Sequence, residues 1–256
     1  EVKRLVDATD NLKHKALIMV TWEGALRAGE ALSLRIRDIE FTERGVRIRV
    51  QGKTGERTLL LFKAEPYLRE WLQIHPFRDD PNAYVFYIRF GGDVKQMSHH
   101  GFNAFLYRLA KKAGIKKKIH SHILRHSRLT QLATILTEQE LKQYAGWEKD
   151  SRMAAVYVHL SGRDTEKISM KAAGLKVEEK KEEKKVLIPK KCPRCQTLNR
   201  PDALYCSTCG LILDERVAIR IRKEEEEETK FFEKLVAALI KLTKEKPELK
   251  EELKKL

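Results

Sequence analysis

The segment His122-Ile-Leu-Arg125-His126 places an imidazole and a guanidinium three residues apart, at positions 122 and 125. On an α-helix, side chains with this spacing lie on one face, so both groups can point toward a single anion. Arginine suits such a position because its planar guanidinium pairs with phosphate oxygens and stays charged. The segment therefore predicts a helix that presents two hydrogen-bond donors to one phosphate group.

Four other short motifs complete a set of groups that can cleave a phosphodiester without a metal. They are Gly24-Ala-Leu-Arg27-Ala-Gly-Glu30, Gln51-Gly-Lys53-Thr-Gly55, Ala145-Gly-Trp147 and Val156-Tyr157-Val-His159. Such cleavage requires fixed cations on the phosphate, an aligned nucleophile and an acid for the leaving oxygen. We expect Arg27 and Arg125 to neutralise the phosphate. Lys53, on a turn, is the candidate acid, Trp147 is a further donor, and Tyr157 is the candidate nucleophile.

Three more residues in these motifs are expected to support the site. Glu30 lies one turn after Arg27 and is a candidate carboxylate for orienting Arg125 or a neighbour. We predict that His126 and His159 are structural and pack or cap next to the site. None of these three is assigned to direct chemistry.

Each candidate residue also has a plainer interpretation. Tyr157 alone could be a core tyrosine, Arg27 a solvated helix arginine and Lys53 a solubilising turn residue. The joint occurrence of RxGE, GKTGERT, HxLRH and YVH, in one order, favours the catalytic interpretation. In this order and context, the motifs resemble those of the tyrosine recombinase (phage integrase) family.

The resemblance covers about residues 1–174 and implies a catalytic domain that is mainly α-helical with a small antiparallel β-sheet. It also implies site-specific DNA strand exchange through a 3′-phosphotyrosine, without ATP or a catalytic metal. The implied partners are double-stranded DNA and other copies of the chain, with four protomers in the assembled complex. Trp147 stands where most of the family has a second histidine, and some members carry tryptophan there.

The composition agrees with a polyanionic partner. Among 256 residues, 52 are Lys or Arg and 37 are Asp or Glu, which gives a net charge of +15. Nucleic acid is the first candidate, although ribosomal and membrane-surface proteins share this balance. The longest apolar runs fall well short of the ~20 residues of a membrane span, and the start does not resemble a signal peptide.

Local patterns predict a β-hairpin and several helices. Alternating residues in Val46–Val50 and a β-rich stretch from Arg57 to Phe62 flank turn residues, and Leu34–Phe41 is a candidate third strand. Helices are predicted at Ala64–Ile74, Ser98–Lys112, His122–Ile135, Glu138–Tyr144, Ser151–His159 and Arg163–Ala173.

All four cysteines form two CxxC pairs separated by ten residues: Cys192, Cys195, Cys206 and Cys209. Four thiolates with this spacing predict a closed, structural Zn²⁺ site in a zinc ribbon. An iron–sulfur cluster or a redox dithiol pair is the alternative. Cysteines that bind a metal and form no disulfides indicate a reducing compartment, and we expect the cytoplasm. Whether the ribbon contacts DNA or another protein stays open.

These features predict four segments along the chain. A catalytic domain covers 1–174, a charged linker 175–190, the zinc ribbon 191–214 and a helical tail 215–256. The tail carries a short heptad pattern of leucines that Pro247 should interrupt, and it could pack in cis or between subunits. A zinc ribbon joined to such a domain resembles archaeal integrase-like proteins.

The chain begins without methionine, and we expect a fragment that starts inside a helix. Enzymes of the family usually carry an additional N-terminal DNA-clamping domain.

The leading hypothesis for the function is a recombinase that integrates or excises a mobile element. The alternatives are a type IB topoisomerase-like activity and a catalytically weak DNA-binding or assembly protein that uses the ribbon and tail.

Overall fold

The protein is described here by a computed structural model that covers residues 1–90, 93–160, 173, 187–214, 216–217, 219–220, 223–224, 227–232 and 234–236. The helices are α1 (Val2–Asp7), α2 (Leu12–Glu23), α3 (Ala28–Ser33), α4 (Glu65–Gln73), α5 (His99–Lys112), α6 (Ser121–Ala133), α7 (Glu138–Ala145) and α8 (Met153–Leu160). The strands are β1 (Ile39–Thr42), β2 (Gly45–Gly52), β3 (Gly55–Leu61), β4 (Tyr87–Phe90), β5 (Asp93–Gln96), β6 (Lys190–Lys191) and β7 (Leu198–Asn199). The chain divides into two compact units, Glu1–Pro201 and Asp202–Leu256.

Helix α2 is the centre of the first unit. Its residues from Ala16 to Glu23 are buried without interruption, as expected for a helix that is surrounded on all sides. It packs against α4 on one side and α6 on another. The Glu23 carboxylate at its end accepts hydrogen bonds from the backbone N–H groups of Phe62, Lys63 and Ala64, at 3.2, 3.0 and 2.6 Å. Glu23 therefore fixes the start of α4 against the end of α2.

The three-stranded sheet has the order β1-β2-β3 and is antiparallel throughout. Residues of β2 alternate between the core and solvent, with Val46, Ile48 and Val50 fully buried. Gly52 pairs with Gly55, so Lys53 and Thr54 occupy the tip of the hairpin. The predicted β-hairpin is confirmed, and so is the predicted fold class, mainly α-helical with small antiparallel sheets.

The third strand was predicted over Leu34–Phe41, and its first half is wrong. A 3-10 turn occupies Ile36–Asp38, and the strand begins only at Ile39. The Asp38 carboxylate accepts from the backbone N–H of Arg35 at 2.9 Å, and the N–H of Ile36 donates to the carbonyl of Ala83. The backbone N–H groups of Arg35 and Ile36 are thus occupied by these bonds and do not pair with a neighbouring strand of the three-stranded sheet. The β4–β5 hairpin was not predicted, because its two strands are only four residues long.

The predicted helices from Ala64 to His159 correspond to α4 to α8, with ends that differ by a few residues. The Ser98 side chain caps α5 and accepts from the N–H of Gly101 at 3.0 Å. The predicted helix at Arg163–Ala173, the linker and most of the tail heptad lie outside the described residues. Among the described residues, no helix is long and apolar enough to cross a membrane.

Candidate active site

Arg125 is the most buried cation of the candidate site. It extends from the second turn of α6 and is only 3% exposed. Its guanidinium donates to the carbonyls of Ala25 and, at 2.9 Å, Ala145. Burial, followed by the charge of Arg27, lowers the pKa of Arg125 to about 10, so the group stays protonated at neutral pH. Arg125 thereby joins α6 to the turn after α2 and to the end of α7.

The turn between α2 and α3 positions Arg27. Ala25 is fully buried and has φ of +46°. This left-handed backbone conformation costs an alanine a free energy of about 1 kcal/mol. Its carbonyl accepts the Arg125 hydrogen bond, and its N–H donates to the carbonyl of Trp22. Arg27 then stands directly before α3, with its side chain 34% exposed and available to a ligand.

Glu30 is a buried carboxylate surrounded by three arginines. It accepts from the backbone N–H of Arg27 at 2.9 Å and from the Arg27 guanidinium at 2.7 Å. Arg57 donates to both of its oxygens, at 3.2 and 2.8 Å, and a nitrogen of Arg125 lies 3.9 Å away. Burial would raise the pKa of Glu30, but hydrogen bonds and charge from Arg57 and then Arg27 outweigh burial and lower it.

Arg57 is a member of this cluster that the sequence prediction missed. It extends from β3, and its Nε also donates to the carbonyl of Tyr144 at 3.2 Å. Gly146, which has φ of +62°, lies against it, and a Cβ on Gly146 would come within 2.6 Å of the guanidinium. A signal for Arg57 was present in the sequence. It shares the inward face of β3 with Leu59 and Leu61, where a charged residue requires a buried partner.

The hairpin tip reaches the turn that carries Trp147. The Thr54 hydroxyl donates to the carbonyl of Gly146 at 3.1 Å. Lys53, the neighbouring residue, is exposed. Lys53 is therefore open to solvent, one residue away from the contact that joins the hairpin to the turn before Trp147.

Tyr157 is far from Arg27 in the sequence. In space it lies close to Arg125. Its side chain is 3% exposed and stacks on Trp147, with ring centroids 5.5 Å apart. The Arg125 guanidinium lies 5.7 Å from the centre of the Trp147 ring. Burial raises the pKa of Tyr157, and the charge of Arg125 opposes that effect. The phenol is therefore protonated at neutral pH.

Two histidines of α6 complete the pocket. His122 is exposed, and its ring lies 4.2 Å from that of His126 in a perpendicular arrangement. Burial, followed by the charges of Arg125, His120 and Arg27, lowers the pKa of His122. The Nδ1 atom of His126 forms a hydrogen bond with the Tyr157 hydroxyl. His126 therefore lies next to the site, as predicted, and its contact is with the hydroxyl of the candidate nucleophile. The side chain of His159 lies outside the described residues.

The structure thus links Arg27, Glu30, Arg125, His122, Trp147 and Tyr157 by a chain of contacts, whereas the exposed Lys53 reaches this group only through its neighbour Thr54. Three cations, Arg27, Arg57 and Arg125, surround one carboxylate, Glu30, so the net charge of the pocket is positive and it favours an anion. The Tyr157 hydroxyl lies within reach of the charge of Arg125 and has His126 as its hydrogen-bond partner. Such a pocket can bind a phosphodiester, withdraw charge from it and offer a nucleophile to its phosphorus.

The four cysteines form a separate cluster. Their sulfur atoms all lie within 4.8 Å of one another, and two of the residues are buried. The cluster could hold a metal ion, because a set of four converging thiolates is what a tetrahedral site requires. The cluster is formed by the two CxxC turns, next to β6 and β7. Backbone hydrogen bonds close these turns; for example, the N–H of Gln196 donates to the carbonyl of Cys192.

Fold and site together define a class of protein: a helical domain in which arginines, histidines and a tyrosine converge on one anion pocket beside a β-hairpin. The model of the Phage integrase family matches residues 1–163. The chain therefore belongs to the phage integrase family, the tyrosine recombinases.

Similar proteins agree with this membership. Transposase A from transposon Tn554 of Staphylococcus aureus is 31% identical over 197 residues, which cover 72% of this chain and 53% of that protein. Tyrosine recombinase XerA of Pyrococcus horikoshii is 28% identical over 138 residues, 52% of this chain and 45% of that protein. The chain spans about half the length of these relatives.

The fold also resembles a solved structure. The crystal structure of XerA recombinase superposes with a TM-score of 0.53 at 22% identity, covering 68% of this chain and 60% of that one. At this identity the likeness concerns the fold alone. The helical arrangement and the small sheet are therefore those of the family.

Proposed function

We propose that this chain is a site-specific recombinase that cleaves and rejoins double-stranded DNA through a 3′-phosphotyrosine on Tyr157. The observation that carries the proposal is the position of the Tyr157 hydroxyl, buried beside Trp147 and Arg125 in a pocket rich in cations. A buried tyrosine hydroxyl next to fixed guanidinium groups is the arrangement that attack on a phosphodiester requires.

In the proposed reaction, Arg27 and Arg125 bind the non-bridging oxygens of one phosphate, and His122 and Trp147 donate further hydrogen bonds. The Tyr157 oxygen attacks the phosphorus, the bond from phosphorus to the 5′-oxygen breaks, and Lys53 protonates that oxygen. The energy of the broken bond stays in the phosphotyrosine ester, so rejoining needs no ATP. The exposed position of Lys53 on the hairpin agrees with an acid that reaches its place when DNA is bound.

The proposed partners are DNA and further copies of the chain. A structurally similar recombinase, XerH, is described as bound to its palindromic difH substrate, with a TM-score of 0.51. By resemblance to the family, four protomers would assemble on two sites. The matched transposase of Tn554 and a probable integrase of Acholeplasma phage L2 favour a role in moving a mobile element.

The four cysteines are proposed to hold one structural Zn²⁺. The thiolates would fill all four coordination positions and leave none for a substrate, so the ion would stabilise the ribbon and take no part in strand cleavage. A thiolate zinc site of this kind persists in a reducing compartment, and we place the protein in the cytoplasm.

A trapping assay tests the proposed chemistry. A pool of nicked duplexes with randomised centres is incubated with the protein. Because of the nick, cleavage releases a short fragment that carries the 5′-hydroxyl. This fragment diffuses away, so rejoining is prevented and any covalent adduct persists in detergent. Wild type should form an adduct that protease removes, and sequencing the bound DNA would identify the site. Tyr157→Phe should form none, whereas Tyr107→Phe, which changes an exposed tyrosine, should behave as wild type.

The same assay separates the alternatives. A topoisomerase-like enzyme would form adducts on unrelated sequences and relax plasmids that lack any special site. A DNA-binding or assembly protein would retain duplexes without a covalent bond, and Tyr157→Phe would then not differ from wild type. That result would contradict the proposed function.

A further inference from the structure

His126 contacts the atom of Tyr157 that would attack the phosphate. Its Nδ1 forms a hydrogen bond with the Tyr157 hydroxyl, and the two ring centroids lie 5.4 Å apart. Because Tyr157 is 3% exposed, bulk water cannot readily serve as the partner of this hydroxyl. The proton of a buried phenol must therefore go to a group already beside it.

The other groups near the hydroxyl are poor proton acceptors. Arg125 is a cation at neutral pH, and Glu30 is occupied by Arg27 and Arg57. His122 is exposed and contacts the ring of His126, and no hydrogen bond joins it to the Tyr157 hydroxyl among the described residues. Among the described residues, the imidazole of His126 is the one neutral acceptor bonded to this oxygen.

We propose that His126 is the base that takes the Tyr157 proton during strand cleavage and returns it during rejoining. This proposal rests on the function proposed above and adds a catalytic residue to it, since His126 touches a reacting atom. As the phenol oxygen attacks phosphorus, its O–H bond breaks and the proton passes to Nδ1. When the 5′-hydroxyl later attacks the phosphotyrosine, the departing phenolate recovers that proton from the imidazolium.

The surroundings keep His126 ready to accept a proton. The charged and titratable groups that face it are His122 and Arg125 on its own helix, His120 at the start of that helix, and Tyr157 on α8. Burial, followed by the charges of His122, Arg125 and His120, lowers the pKa of His126. The imidazole is therefore neutral at neutral pH.

The test compares His126→Ala and His126→Gln with wild type in the adduct-trapping assay, under single-turnover conditions. Removing a general base should slow cleavage by about a hundredfold to ten-thousandfold. His100→Ala, which removes an exposed histidine at the start of α5, is the matched control and should cleave as wild type.

A second substitution separates proton transfer from mere positioning. When Tyr157 is replaced by a trifluorinated tyrosine that ionises near neutral pH, the nucleophile no longer needs a base. This replacement should restore most of the rate lost in His126→Ala. A 5′-thiolate leaving group should restore Lys53→Ala but not His126→Ala. A slow His126→Ala enzyme that the fluorinated tyrosine does not improve would overturn the proposal, as would wild-type cleavage by His126→Ala.

The final measurement does not depend on activity. Nitrogen-15 NMR of the histidine rings, assigned with His126→Gln, should find Nδ1 of His126 without a proton at neutral pH. A protonated Nδ1 could not accept from Tyr157 and would overturn the proposal. If wild type forms no adduct on any duplex, the proposed function fails, while the NMR result still decides the state of His126.

Discussion

At the scale of single residues, one carboxylate organises the candidate site. Glu30 receives hydrogen bonds from Arg27 and Arg57 and lies 3.9 Å from Arg125. Three guanidinium groups repel one another, and a buried carboxylate between them reduces this repulsion while leaving the pocket positive. Glu30 therefore holds the three arginines in place in the pocket.

Replacing Glu30 by Gln should reduce the free energy of unfolding by about 2 kcal/mol at pH 7. Because the pKa of Glu30 is lowered below its usual value of 4.5 in the folded state, its contribution is present above that value and is lost as pH falls through the folded pKa. In denaturant titrations from pH 7 to pH 3, the stability difference between the two proteins should therefore shrink once the pH falls below 4.5. Glu40→Gln, which breaks an exposed pair with Arg47, should change stability by less than about 0.5 kcal/mol.

Replacing Arg27 by Ala should slow adduct formation by about a thousandfold, since a fixed cation on the phosphate is lost. Arg27 is partly exposed, and Glu30 keeps its bonds to Arg57, so the melting temperature should change little. Single-turnover cleavage and thermal unfolding measure the two effects separately. Arg78→Ala serves as the control on an exposed surface. An Arg27→Ala rate within twofold of wild type would contradict the phosphate-binding role.

At the scale of elements, the β2–β3 hairpin is fixed at its tip to the turn after α7. Thr54 donates to the carbonyl of Gly146, and Arg57 on the same hairpin donates to the carbonyl of Tyr144. These bonds determine where Lys53 lies relative to Trp147. The position of the candidate acid is therefore set by contacts of its neighbours.

Replacing Thr54 by Val removes the hydroxyl and keeps the shape of the side chain. We expect cleavage to slow by roughly tenfold, because Lys53 is held less firmly near the leaving oxygen. A 5′-thiolate leaving group, which needs no acid, should remove most of this difference. Thr58→Val, on an exposed face of β3, is the matched control. An equal defect with both leaving groups would indicate that Thr54 supports the site in another way.

At the scale of the whole molecule, the segment with the first cysteine pair contacts the recombinase fold within the unit Glu1–Pro201. Arg200 Nε lies 3.1 Å from a Glu70 carboxylate oxygen, and its guanidinium lies 6.0 Å from the centre of the Tyr67 ring. Leu187 packs against the main core. Arg200 and β7 therefore lie against α4, and Leu187 lies against the core of the same unit.

Removing the proposed metal with 1,10-phenanthroline should unfold the ribbon and release this contact. Hydrogen exchange measured by mass spectrometry should rise in residues 190–209 and on the exposed side of α4, while α2 and α6 stay protected. The isomer 1,7-phenanthroline, which does not chelate, should have no effect. Faster exchange in α6 would contradict a ribbon whose metal serves only local stability.

The local order of the molecule was predictable from its residues. Turn glycines flanking Lys53 and Thr54, together with alternation in β2, indicated the hairpin, and Ser98 indicated the start of α5. The motifs indicated Arg27, His122, Arg125, Trp147 and Tyr157, because fixed spacings on helices and turns place side chains on known faces. Two CxxC pairs indicated the cysteine cluster in the same way.

Contacts between distant segments could not be predicted in this way. The Arg57–Glu30 pair joins a strand to a helix, and the His126–Tyr157 hydrogen bond joins α6 to α8. The late start of β1 also depends on a distant segment, since the N–H of Ile36, in the turn before the strand, donates to the carbonyl of Ala83. The sequence by itself determined which groups are available and on which elements they lie. Only the tertiary structure decided which of them meet, because packing against the shared core fixes the distances between elements that no local spacing encodes.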